Sequence, residues 1–217
     1  MKTRKMHLIA NAVAFALMMN TFTLVAGGEP GKETITKTAA TLNVDPAKSQ
    51  LIWTARKVGG EHTGTVNIAK GTLHVEGNKL VGGEFVMDMT SITDTDITNE
   101  MMNGKLTAHL KSEDFFSVEK HPTSTFAITK VAPIAGAKAG EPNYSITGDL
   151  SIKGITKSIT FPATVNFMNK SAEATATFDV DRTQWDIKYR AAIIGTAADK
   201  IIEDHFTIAL KVVSPEI

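Results

Sequence analysis

The chain has 217 residues, with 23 basic and 23 acidic side chains, six histidines and no cysteine. Without cysteine there are no disulfides, thiolate nucleophiles or cysteine metal sites, and no lipid attachment through an N-terminal cysteine. The even charge leaves no electrostatic footprint for nucleic acid, and no basic amphipathic segment marks a membrane-surface binder.

Lys2, Arg4 and Lys5 precede an apolar stretch through Leu8, Val13, Phe15, Leu17 and Met19, and Val25-Ala26-Gly27-Gly28 follows with small residues. This pattern predicts a secretory signal peptide over residues 1–27. Asn11, Asn20 and Thr21 interrupt the apolar run, which falls short of the ~20 residues that span a bilayer. The mature chain is therefore expected to be periplasmic or secreted and not membrane-spanning. It carries 20 basic against 23 acidic groups. Residues 28–41 are rich in Gly, Lys and Thr and poor in apolar groups, so they predict a flexible leader. Residues 42–217 then form one domain, long enough for a sizeable core.

From Leu42 the pattern alternates with period 2, as strands with one apolar face require. Leu51, Trp53 and Ala55 share one parity. Val66 and Ile68, then Leu73 and Val75, predict a second strand with an irregularity around Gly71, and Phe85, Met87 and Met89 a third. Residues Thr98 to Lys111 break the alternation and predict a short helix, with Asp94 or Thr98 as its cap. Met101, Met102, Leu106, Leu110, Phe115 and Phe116 are expected to cover one end of the β structure. The alternation resumes at Phe126 and Ile128, then at Tyr144–Ile152, Ile159–Phe167, Ala174–Val180 and Phe206–Val212. Pro162 demands an edge, a bulge or an outward position within its strand. Ala191–Lys200 reads as a loop. About eight strands joined mostly by short polar turns predict an all-β barrel or sandwich.

Polar residues offer little catalytic chemistry. His62, His74, His109, His121 and His205 show no His-x-x-x-His spacing, and no metal site is expected from them. Asp94, Asp96, Glu100, Glu113 and Asp114 miss the spacing of an EF-hand loop and read as a solvated acidic edge. No Gly-x-Ser-x-Gly elbow is present, and the adjacency of Ser112 to the histidine block says nothing of nucleophile–base geometry. No catalytic residue is assigned, and the chain is not expected to be an enzyme.

Several ordered blocks resemble the YceI-like family of periplasmic, lipocalin-like proteins that bind polyisoprenoids and related lipids. They are Leu42-Asn43-Val44-Asp45-Pro46-Ala47-Lys48-Ser49, Gly83-Glu84-Phe85-Val86-Met87-Asp88-Met89-Thr90-Ser91-Ile92, His109-Leu110-Lys111-Ser112-Glu113-Asp114-Phe115-Phe116 with Pro122-Thr123-Ser124-Thr125-Phe126, Gly148-Asp149-Leu150-Ser151-Ile152-Lys153-Gly154-Ile155-Thr156-Lys157, and Asp181-Arg182-Thr183. Lys48 stands where a histidine is frequent in the family. The resemblance implies an eight-stranded antiparallel lipocalin-like barrel with a short helical insertion, enclosing an apolar tunnel. It also implies an amphiphilic ligand, an isoprenoid-type lipid such as a prenyl phosphate or a quinone, and no other cofactor.

Inward parity then makes Trp53, Phe85, Met87, Met89, Phe126, Phe161, Phe178 and Trp185 candidates for the tunnel wall, with Phe115 and Phe116 from the insertion. Arg182 and Arg190 are the headgroup candidates. The residues alone leave a second reading open: a barrel filled by its own side chains, serving as a protein-interaction or stress-related accessory module. Monomer and homodimer also remain open.

Overall fold

The computed structural model describes residues 39–168 and 171–215. The expected signal peptide, and the leader up to residue 38, lie outside the described residues. Ala40 and Thr41, assigned above to the leader, instead open strand β1 (Ala40–Asn43). Leu42 is buried, and all four residues of β1 pair with the next long strand but one.

The remaining strands are β2 (Gln50–Lys57), β3 (Gly60–Glu76), β4 (Lys79–Asp94), β5 (Thr123–Pro133), β6 (Tyr144–Ile152), β7 (Ile155–Met168), β8 (Ser171–Asp181) and β9 (Ile202–Ser214). They pair antiparallel in the order β3-β2-β9-β8-β7-β6-β5-β4, and β4 returns to β3 to close an eight-stranded barrel. Closure removes the free edges that an open sheet would expose. The 17 residues of β3 carry β2 along their first half and β1 along their second. Register shifts between Thr65 and Asn67 and between Ile68 and Lys70 move the inward parity from Val66 and Ile68 to Leu73 and Val75, which places the irregularity just before Gly71.

Two-residue turns join β2 to β3, β3 to β4 and β6 to β7. In the last, Lys153 (φ 52°) and Gly154 (φ 74°) are both left-handed, the geometry whose twist matches a tight hairpin. The two longest connections lie at one end. Helix α1 (Glu100–Lys111) lies between β4 and β5, and three 3-10 turns (Arg182–Trp185, Ala192–Ile194 and Ala198–Lys200) lie between β8 and β9. The segment read as a loop thus carries the last two of these turns.

Asn99 caps α1 by accepting the Met102 N–H at 3.0 Å. Neither Asp94 nor Thr98 takes that role, because Asp94 is occupied with the Ile97 N–H at 2.8 Å. The inner face of the helix also differs from the expectation. Asn103 donates from Nδ2 to the carbonyls of Asp94 and Ile97 and so takes an inward position that an apolar residue was expected to hold. Met101 and Met102 therefore fall on the solvent side, 70% and 53% exposed. Leu110 and Phe115 are buried, and Leu106 and Phe116 pack against the core.

Pro162 is exposed and pairs with Ser145 of β6 on one side. On its other side the β7–β8 ladder covers only Thr164–Met168, so the missing N–H of proline breaks no bond. Beyond that point the two strands part. The stacked rings of Phe161 and Phe178, 4.0 Å apart and nearly parallel, close the seam inside the barrel. The 3-10 turn Arg182–Trp185 packs on β7 at the helix end, and the indole N–H of Trp185 donates to the Leu150 carbonyl at 3.1 Å.

Candidate functional site: an apolar cavity in one half of the barrel

The two halves of the barrel interior differ. Toward the end away from α1, Leu42, Val44, Leu73, Val75, Leu80, Ile146, Val165 and Val212 are all buried and pack against one another. From the middle to the α1 end, the side chains instead surround a cavity with about 1220 Å³ of empty space, part of it open to solvent. Its wall is apolar among the described residues except for Ser124, Arg182 and Glu203.

Small residues beside large ones create that space. A Cβ at Gly64 would meet the Trp53 ring at 2.6 Å, and one at Gly148 would collide with the Phe126 ring. The bare backbone at these two positions lets each ring lie flat against the neighbouring strand. Because β6 offers only Gly148 there, Phe126 reaches across it to Phe161, with ring centroids 5.6 Å apart. Phe85, Phe126, Phe161 and Phe178 thus form a continuous row of rings around the wall.

Of the residues singled out from parity, Trp53, Phe85, Met87, Met89, Phe126, Phe161 and Phe178 line the cavity, and Phe115 and Phe116 join them from the connection after α1. Trp185 does not. The alternation ends at Asp181, and the following 3-10 turn carries the indole out of the strand register into a fully buried position behind the wall. Residues not singled out add to the lining, among them Leu51 and Ala55 of β2, Phe206, Ile208 and Leu210 of β9, and Leu110 of α1. The β9 residues carried the same alternating signal as the chosen ones. Trp53 is itself 6% exposed, and its Nε1–H is buried with no hydrogen-bond partner among the described residues.

Arg182 was expected to be free for a headgroup, and its geometry assigns it elsewhere. Nε donates to the Glu203 carbonyl at 3.0 Å, one terminal nitrogen to the carbonyls of Ile187 and Tyr189 at 2.8 and 3.0 Å, and the other to that of Ile202 at 2.9 Å. The second terminal nitrogen also lies 3.7 Å from Asp204. Burial lowers the Arg182 pKa, while Asp204 and Asp181 oppose that shift. The guanidinium is thus spent on holding the β8–β9 connection together. Arg190 is exposed and stacks over Tyr189 at 5.2 Å, without lining the cavity.

The ring of Tyr189 also meets His109 edge-on, and His109 meets Phe115, with centroids 4.7 and 4.9 Å apart. The second face of this cluster is polar: His109 Nε2 hydrogen-bonds Asp114 at 2.9 Å. The Ser112 hydroxyl donates to the His109 carbonyl at 2.8 Å, closing the helix C-terminus.

The structure also brings together residues that the sequence placed in separate groups. His62 Nδ1 lies 3.1 Å from Asp96 and 3.9 Å from Asp94. Burial pushes the Asp94 carboxyl above its ordinary value, and Asp96 adds to the rise against the Ile97 N–H and His62. Burial lifts Asp96 as well, but the Thr63 N–H, the neighbouring Asp94 and His62 outweigh it and hold that carboxyl low. No signal in the sequence aligned these groups, because His62 lies 32 and 34 positions before its neighbours.

A closed antiparallel barrel of eight strands with one helix and an apolar interior cavity defines a lipocalin-like protein. The model of the YceI-like domain matches residues 42–214, and the chain belongs to that family. Among curated proteins, a UPF0312 protein of Pseudomonas putida (strain W619) is 41% identical over 58 residues, which is 27% of this chain and 28% of that protein. A UPF0312 protein of Azotobacter vinelandii is 42% identical over 55 residues, 25% and 26% of the two chains. These alignments span about a quarter of the curated relatives. Among solved structures, BcnA of Burkholderia cenocepacia superposes with a TM-score of 0.57 at 21% identity, covering 79% of this chain and 99% of that one. A polyisoprenoid-binding domain from Saccharophagus degradans gives 0.56 at 13% identity, covering 82% and 100%. At these identities the two structures speak for the fold. No helix of the described residues is long and apolar enough to cross a membrane.

Proposed function

We propose that this protein binds an isoprenoid-type lipid in the cavity and carries or sequesters it in the periplasm, without catalysing a reaction on it. The observation that carries this reading is a barrel filled by its own side chains in one half and hollow, with apolar walls, in the other. A ligandless module would gain stability by filling the second half as well. The polyisoprenoid-binding domain of Saccharophagus degradans, which shares the fold, supports the choice of lipid class. Burying ~300 Å² of chain contributes about 7–8 kcal/mol gross, from which immobilisation subtracts.

Five exposed large apolar side chains, Val58, Met101, Met102, Ile193 and Ile194, stand on connections at the α1 end. They suit that end to lipid exchange. Arg190 is one of the exposed cations there, with Lys57 and Lys188, that could meet an anionic headgroup, since Arg182 is fully engaged.

Protein purified from its own host and examined by native mass spectrometry should carry a co-purifying lipid, and emptied protein should take up added prenyl lipids or quinones. The absence of both would refute the reading.

A further inference from the structure

His62 stands near the start of β3, and Asp94 and Asp96 stand where β4 passes into the connection leading to α1. Gly64 pairs with Asp94 across the two strands. The chain then folds back along β3: the Thr95 N–H donates to the Thr63 carbonyl at 2.9 Å, and the Thr63 N–H donates to Asp96 Oδ1 at 2.8 Å. These bonds hold both carboxylates against the imidazole, and one ligating atom from each residue lies within 4.8 Å of the others. A four-coordinate ion with bonds of about 2.1 Å holds its ligand atoms about 3.4 Å apart. The separations of 3.1 and 3.9 Å from His62 Nδ1 bracket that value.

A second observation points to the same place. Asp94 is 4% exposed, its Oδ1 accepts from the Ile97 N–H and from Asn103, and its Oδ2 is buried with no hydrogen-bond partner among the described residues. A bare, buried carboxylate oxygen is costly, and this one faces His62 3.9 Å away. A cation held between the three residues would satisfy it. Two carboxylates would also balance the charge of a divalent ion.

We infer that His62, Asp94 and Asp96 bind one divalent transition-metal ion, zinc or manganese, with water completing the coordination. The imidazole ligand selects these ions over calcium and magnesium, which take oxygen ligands. His62 and Asp96 are partly exposed and give the ion and its water a path to the site. Bound there, the ion clamps β3 to the connection that carries α1, since Asp94 also holds Asn103 of the helix. The site lies outside the cavity wall and works with or without a lipid.

Full-length protein freed of metal with a chelator and titrated calorimetrically with zinc or manganese ions tests this. One equivalent should bind, with calcium giving no comparable signal, and the thermal midpoint should rise on loading. His62→Gln and Asp96→Asn alter partly exposed side chains, and Asp96→Asn keeps an oxygen for the Thr63 N–H. Each should weaken binding at least tenfold and abolish the thermal shift. His109→Gln, in the other histidine–carboxylate pair, should leave binding unchanged. Equal zinc affinity in wild type and His62→Gln, or no uptake by the wild type, would overturn the assignment.

Discussion

Arg182→Lys should cost about 4 kcal/mol of stability or more, although it keeps the charge. The guanidinium serves four main-chain carbonyls in the turn after β8 and at the start of β9. Lysine offers a compact ammonium with three donors in place of a planar fork with five. Buried carbonyls are left without partners, at about 1–3 kcal/mol each, and Asp204 loses its neighbour. For a domain of this size each kcal/mol moves the thermal midpoint by about 2–4 °C, so a fall of roughly 8–16 °C is expected by circular dichroism. A shift under about 3 °C would show that water or a rearranged turn replaces the arginine without loss. Were Arg182 a headgroup ligand, the same substitution would leave stability intact and weaken lipid binding instead.

Met87→Trp separates the hollow barrel from a filled one. Met87 lies on the cavity wall between Ile68 of β3 and Ser124 of β5. An indole there enters the space a lipid would occupy. Lipid uptake should fall at least tenfold, read by native mass spectrometry with an added prenyl lipid, while the thermal midpoint stays within about 3 °C of wild type. In a filled core the extra atoms would force their neighbours apart and cost ~1–3 kcal/mol, with no ligand to lose. A large fall in stability with unchanged lipid uptake would therefore place the ligand elsewhere.

The row of rings from Phe85 to Phe178 was legible from alternation, because a strand with one buried face repeats every second residue whatever barrel it belongs to. The helix after β4 was equally visible as a break in that period. Its orientation was not. Hydrophobicity assigned Met101 and Met102 to the interior, whereas Asn103 takes an inward position by bonding carbonyls of the preceding connection. Trp185 was misassigned for a related reason: strand parity stops at Asp181, and a 3-10 turn follows a different rotation. Arg182 was chosen for its charge, and the carbonyls that engage it come from residues 5 to 21 positions further on.

By itself, the sequence determined the strands, their inward faces and the family, all of which depend on local period and on residues close in the chain. Only the tertiary structure decided which half of the barrel is packed and which is hollow. That outcome depends on whether side chains from non-adjacent strands close on one another, as in the packed cluster that holds Leu73 and Val212, or stand apart around space, as Trp53 and Phe126 do after settling over Gly64 and Gly148. The same holds for His62, Asp94 and Asp96, which β3–β4 pairing and the fold-back of the following chain bring within bonding range of one ion.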